Sequence, residues 1–89
     1  MNKHRRKLIE EARDLIGIAF SKLEEARSML NDVKDAEQDA FDNLPESLQE
    51  TDRGAAMENA VDMLDTATSA IDDFDFDSIY ECLDQAVES

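Results

Sequence analysis

Apolar residues recur every seven positions along two long stretches of this chain, and a proline stands between the stretches. Ile9, Ile16, Leu23 and Leu30 fall seven apart, and Ala12, Ala19, Ala26, Val33 and Ala40 form a second row three residues later. These are the a and d positions of a helix that packs lengthwise against another helix. Leu8, Leu15 and Met29 widen the stripe on one flank, and Phe20 and Phe41 widen it on the other. The second stretch repeats the scheme with Met57, Leu64 and Ile71, then Ala60, Ala67 and Phe74, with Ala56, Met63 and Ala70 as its flank. A strand, with its period of two, cannot keep such rows on one face. The pattern predicts an all-α fold with a first helix over residues 3–42, about 60 Å long at 1.5 Å per residue. Gly17 lies inside that helix and costs up to about 1 kcal/mol relative to alanine, but the rows pass through it unchanged.

The interruption is "DNLPESLQETDRG", residues 42–54. Pro45 cannot continue the first helix and pushes the residue before it out of α geometry. It suits the start of a new turn, and Ser47 with Glu50 has capping-box spacing. The reading is a corner over 43–51 containing a short turn at 45–49, its apolar end plugged by Leu44 and Leu48. Thr51 or Asp52 caps the next helix, over 52–73. If the chain folds back there, Val33 meets Leu64, Ala26 meets Ile71 and Leu8 nears Val87. The acidic C-terminus, with Asp84 and Glu88, then lies beside the basic Lys3–Lys7 end, worth about 0.5 kcal/mol per exposed pair. The expected architecture is a single helical domain over 1–89, an antiparallel, coiled-coil-like two-helix hairpin with a kinked or separate short C-terminal helix.

That last helix follows from a change of phase. Ser78 and Gln85 occupy places where the older rows require apolar residues. A new stripe of Phe76, Ile79, Tyr80, Leu83, Ala86 and Val87 begins after "DDFDFD", residues 72–77, and predicts a helix over 76–88. Asp75 or Asp77 is placed to cap it, and Phe74 and Phe76, either side of the joint, both reach the core. The acids Asp73, Asp75, Asp77, Glu81 and Asp84 also fall at positions 1, 3, 5, 9 and 12 of a calcium-loop pattern. Position six is Ser78 where the sharp turn needs glycine, and position twelve is an aspartate where glutamate supplies two oxygens. The joint is the preferred reading, and a calcium-responsive protein the least favoured alternative.

Charge narrows the function classes. The chain has 89 residues and a formal charge of −14. Four of its nine bases lie in residues 1–7, whereas from Asp35 to Ser89 a single base, Arg53, faces seventeen acids. Binding DNA, RNA or anionic lipid draws on Lys and Arg, so this surface disfavours all three and attracts basic proteins. "KHRRK", residues 3–7, is read as a charged helix start beside an acidic partner segment rather than a nucleic-acid patch. Lys3, Arg5, Arg6 and Lys7 imitate the start of a secretory leader, but Glu10, Glu11, Arg13 and Asp14 break any apolar run, so a cytoplasmic protein is expected. No catalytic constellation is legible. His4 stands alone near a terminus, Cys82 has acids around it and reads as a half-buried structural thiol, and no phosphate loop or metal-ligand motif occurs. The chain is therefore read as non-enzymatic, without a cofactor. Candidate partner-binding residues are Asp62, Asp65, Asp72, Asp73, Asp75 and Asp77. A lone hairpin leaves Leu8, Leu15, Met29 and Met63 half-exposed, so these are candidates for self-association into a homodimeric bundle. Ile18, off the seam, is expected to be exposed.

The stretch "EQDAFDNLPESLQETDRGAAMENAVDMLDTA", residues 37–67, resembles a group of small acidic helical proteins of phages and prophages of Gram-positive bacteria. In that group an "AFDNLPESLQ" corner joins two Ala/Glu-rich helices. The resemblance covers about a third of the chain closely, implies a phage-type origin and a helical hairpin, and carries no established activity. The chain departs from it at "DDFDFDSIYECLDQ". Two functions follow as expectations. One is an interaction protein whose acidic face binds a basic protein, as an inhibitor or nucleic-acid mimic. The other is a structural bundle whose apolar seam meets other helices, its acids only solvating.

Overall fold

The computed structural model describes residues 1–89 and contains four helices and no strand. They are α1 (Lys3–Asp42), α2 (Glu46–Gln49), α3 (Asp52–Asp72) and α4 (Phe76–Glu88). The predicted boundaries agree to within a residue. The chain divides into two compact units, one of Met1–Glu24 with Phe74–Ser89, the other of Glu25–Asp73.

In the first unit, the early turns of α1 meet α4. Every residue of the new stripe, Phe76, Ile79, Tyr80, Leu83, Ala86 and Val87, is buried or half-buried. Ile9, Ile16 and Leu23 of α1 are half-buried too. The Phe76 ring stands edge-on to Phe20, with centroids 4.8 Å apart. Arg13 pairs with Asp84 and lies over the Tyr80 ring, 5.1 Å from its centroid. The amino terminus donates to the Ser89 carbonyl at 2.6 Å. Phe74 packs at 4.6 Å on Phe76 but stays 52% exposed, so only one ring of the joint is buried, against the expectation that both reach the core.

Gly17 faces this unit's interior. A Cβ built there would lie 3.5 Å from the Tyr80 hydroxyl, an ordinary contact. Nothing therefore offsets the helix-propensity gain. Gly17→Ala is expected to stabilise the chain by about 0.5–1 kcal/mol, read from the urea midpoint. An unchanged or lowered midpoint would show that Tyr80 needs the vacant position.

In the second unit, the later turns of α1 meet α3. Arg27 Nη2 donates to Asp72 Oδ2 at 3.0 Å, and Lys34 Nζ to Asp65 Oδ1 at 3.2 Å. Numbers rise along one segment as they fall along the other, so within this unit the two run in opposite directions. Leu30 and Ala26 are half-buried against it, as are Met57, Ala60, Val61, Leu64 and Ile71 of α3, and Thr68 is buried. Thr68 Oγ1 donates to the Asp65 carbonyl at 2.9 Å, which satisfies its hydroxyl.

The seam corrects the sequence reading in one respect. Ala12, Ala19, Val33 and Ala40 of the expected second row are exposed, and so is Ala67. In the second unit the covered face pairs row a with the row four residues on, row e, and of row d only Ala26 and Ala60 stay half-buried. Row e holds Arg27, Lys34 and Phe41 on α1, and Gly54, Val61 and Thr68 on α3. At about 100° per residue, row e lies about 40° to one side of row a and row d about 60° to the other. Alanine has little surface to bury, whereas Phe41, Val61 and the stems of Arg27 and Lys34 bury more, so rotation toward row e wins.

The corner sets that rotation. The Pro45 carbonyl accepts from the backbone N–H groups of Leu48 at 2.8 Å and Gln49 at 3.1 Å, and α2 is one turn long. Gln49 Nε2 then donates to the carbonyls of Phe41 at 3.2 Å and Leu44 at 3.1 Å, closing the end of α1. Gly54 is buried against the Gln49 backbone, so row e of α3 must face inward. The side-chain caps expected from Ser47 and Thr51 do not form; Thr51 holds the N-cap place of α3 but its hydroxyl donates backward to the Leu48 carbonyl. Leu44 is half-buried, while Leu48, expected as a plug, is 42% exposed.

Candidate interaction surface

The six candidate acids fall into two groups. Asp65 and Asp72 are held by Lys34 and Arg27. Asp75 is the N-cap of α4, where its carboxylate accepts from the Ser78 backbone N–H at 2.9 Å. An aspartate there satisfies an otherwise orphaned donor and complements the helix dipole. All six are exposed, and Asp62, Asp73 and Asp77 stand outside these ion pairs and the cap bond. The asymmetry between Asp75 and Asp77 is measurable. Asp75→Ala is expected to lower stability by about 1 kcal/mol, whereas Asp77→Asn in the first turn should cost no more than about 0.5 kcal/mol. Equal losses in thermal melts would mean that charge, not the cap bond, holds the joint.

The calcium-loop pattern, residues 73–84, falls largely on α4. From Phe76 onward its residues are helical, Asp75 is engaged as a cap, and Asp84 pairs with Arg13. No group of three or more His, Cys, Asp or Glu side chains is arranged to hold a metal ion. Cys82, expected to be half-buried, is exposed: it lies on the flank of the Phe76–Val87 stripe, about 40° beyond Ala86 at roughly 100° per residue. His4 is exposed in the first turn of α1. A shallow groove of about 260 Å³ runs between α1 and α4 in the first unit, lined by Ile9, Arg13, Leu83, Asp84 and Val87, with the Arg13–Asp84 pair across it. No helix is long and apolar enough to cross a membrane.

The four apolar candidates are all open to solvent: Leu8 is 50%, Leu15 67%, Met29 68% and Met63 56% exposed. Ile18 is exposed as expected. No side chain in the chain is completely enclosed. The accessible surface is 6629 Å² for 10.0 kDa, against about 5,200 Å² expected for a folded monomer of this mass. The excess is about 1,400 Å², and a standard protein–protein interface covers about 800 Å² on each partner.

No family model, curated protein or solved structure matches this chain.

Proposed function

We propose that the chain is a non-catalytic protein-interaction module, an antiparallel helical hairpin of phage or prophage type whose acidic surface binds a basic protein partner in the cytoplasm. Such a surface competes with nucleic acid for the partner, which is how an inhibitor or nucleic-acid mimic works. The observation that carries the reading is the seventeen-to-one excess of acids after residue 34, with Asp62, Asp73 and Asp77 exposed. Charge displayed this way raises the association rate with cationic proteins and is screened by salt. The test uses a folded basic protein of known structure as probe, titrated at about 50 and about 300 mM salt. Affinity should fall at least about tenfold between the two, and Asp62→Asn/Asp73→Asn/Asp77→Asn should flatten that dependence. Salt-independent binding, or full binding by the neutralised variant, would remove the electrostatic mechanism.

A second reading rests on a separate observation, the exposure of Leu8, Leu15, Met29 and Met63. In it the apolar row closes on a second copy, and the chain is a homodimeric structural bundle. Sedimentation equilibrium at twice the 10.0 kDa chain mass, reverting to monomer in Leu15→Glu/Met63→Glu, would favour it over the first.

A further inference from the structure

We propose that the second unit, Glu25–Asp73, receives a basic amphipathic helix along the open side of its helix pair. The proposal rests on the reading of the chain as an acidic interaction module and names the class of partner. It begins with the rows left outside the seam. On α1 these are Met29, Val33 and Ala36, and on α3 they are Met63, Ala67 and Ala70; all six are exposed. They belong to rows d and g, which lie on the same rotational side of the covered rows on both helices. The helices run in opposite directions in this unit, so an offset of the same hand turns both open rows toward one side of the pair. The ion pairs give an independent check. Arg27 and Lys34 on α1, and Asp65 and Asp72 on α3, all stand on the other rotational side, and they meet each other along that edge. One edge is therefore closed by ion pairs, and the opposite side is a continuous apolar strip shared by two helices.

The strip has the dimensions of a helix. From Met29 to Ala40 it runs about 17 Å along α1, and from Ala56 to Ala70 about 21 Å along α3, which three to four helical turns would cover. Its alanines let a third backbone approach closely, and two methionines and a valine provide adaptable apolar contacts. The outer border decides the charge of the occupant. Beyond the strip stand Asp32 and Asp39 on α1, and Asp52 and Asp73 at the two ends of α3, all exposed. The unit carries fourteen acids and three bases. Of the bases, Arg27 and Lys34 are committed to the closed edge, and Arg53 stands at one end of the strip. A second copy docked face to face would set these acidic borders against themselves. A helix with an apolar face and flanking Lys or Arg would meet an opposite charge on both borders.

The test titrates the full chain with a fluorescent, roughly 18-residue Leu/Lys peptide patterned as an amphipathic helix, beside a scrambled peptide of the same composition. The patterned peptide is expected to bind at least about tenfold more tightly. Met63→Glu, at an exposed position that leaves the helical circular-dichroism signal intact, should weaken it by about tenfold or more. Leu15→Glu, in the other unit, should leave it unchanged. Asp32→Asn/Asp73→Asn should weaken it and reduce its salt dependence. Equal binding of the two peptides would overturn the helix-binding strip while leaving the acidic-surface reading standing. Binding of neither would overturn both. A dimer in sedimentation equilibrium that Met63→Glu alone dissolves would assign the strip to a second copy and overturn the proposal.

Discussion

Replacing Gly54 with alanine is expected to destabilise the chain by about 3 kcal/mol, the upper end of the usual range for overpacking. A Cβ at this position would fall 2.0 Å from the Gln49 carbonyl oxygen, 2.5 Å from its carbon and 2.8 Å from its Cα. These are backbone atoms, so no side chain can rotate away. Either the end of α2 or the first turn of α3 has to move. Movement of α2 also pulls Gln49 Nε2 from the carbonyls of Phe41 and Leu44, which reopens the end of α1. Gly54 has no positive φ, so backbone strain plays no part, and helix propensity alone would favour alanine by about 1 kcal/mol. Close approach and propensity thus predict opposite signs. Gly17→Ala provides the matched control, because the same substitution inside another helix meets only an ordinary contact. In an 89-residue domain a loss of this size should lower Tm by more than about 10 °C. Amide exchange should accelerate first across residues 45–57. A Gly54→Ala protein as stable as the parent would show that the corner does not fix the rotation of α3.

How far the sequence disclosed this structure depended on which physical effect carried the information. The seven-residue rows and Pro45 placed four elements to within a residue, because periodicity and the missing proline N–H act locally. The phase change at residue 76 was equally legible: only Phe76, Ile79, Tyr80, Leu83, Ala86 and Val87 continued an apolar stripe, and all six are covered. The facing angle of the seam was not legible. Rows d and e both flank row a, and the pattern weighted Ala12, Ala19 and Val33 as apolar while treating Arg27 and Lys34 as surface. Their long stems and the contact at Gly54 reversed that weighting. The sequence marks Gly54 only as a member of the corner segment, and nothing in the order of residues shows that Gln49 lies against it. The capping chemistry was half legible. Asp75 caps as expected, whereas Thr51 spends its hydroxyl on the preceding turn.

The same rotation accounts for the exposed surface. Had row d been covered, Val33, Ala40 and Ala67 would have been consumed by the seam, and only row g, Met29 and Ala36 on α1 with Ala56, Met63 and Ala70 on α3, would remain outside in this unit. With row e inside, Val33 and Ala40 on α1 and Ala67 on α3 open together with row g. An apolar surface that single-row arithmetic treats as a flank becomes a strip two helices wide. Ion pairing on the closed edge and acids beyond the open one follow from the same angle.

Phe76→Ala is expected to cost about 3–4 kcal/mol, as truncation of a buried phenylalanine ordinarily does. Phe76 is 9% exposed and is the one buried hydrophobic side chain, so no neighbouring core residue shares its role. Two rings meet it, Phe20 edge-on at 4.8 Å and Phe74 tilted at 4.6 Å. Their exposures, 42% and 52%, give an order that can be checked: Phe76→Ala should cost most, Phe20→Ala about 2 kcal/mol and Phe74→Ala about 1 kcal/mol. A chain of this length holds only about 4–13 kcal/mol in total, so the largest of these losses should release α4 before the whole chain unfolds. Amide protection across 76–88 should then fall well before that of α3. Phe76→Leu separates volume from ring geometry. It keeps most of the buried surface and forfeits the edge-to-face contact, worth about 1 kcal/mol, so it should recover more than half of the loss. If Phe74→Ala proves as damaging as Phe76→Ala, the half-exposed ring carries the joint and the burial order does not measure the packing energy there.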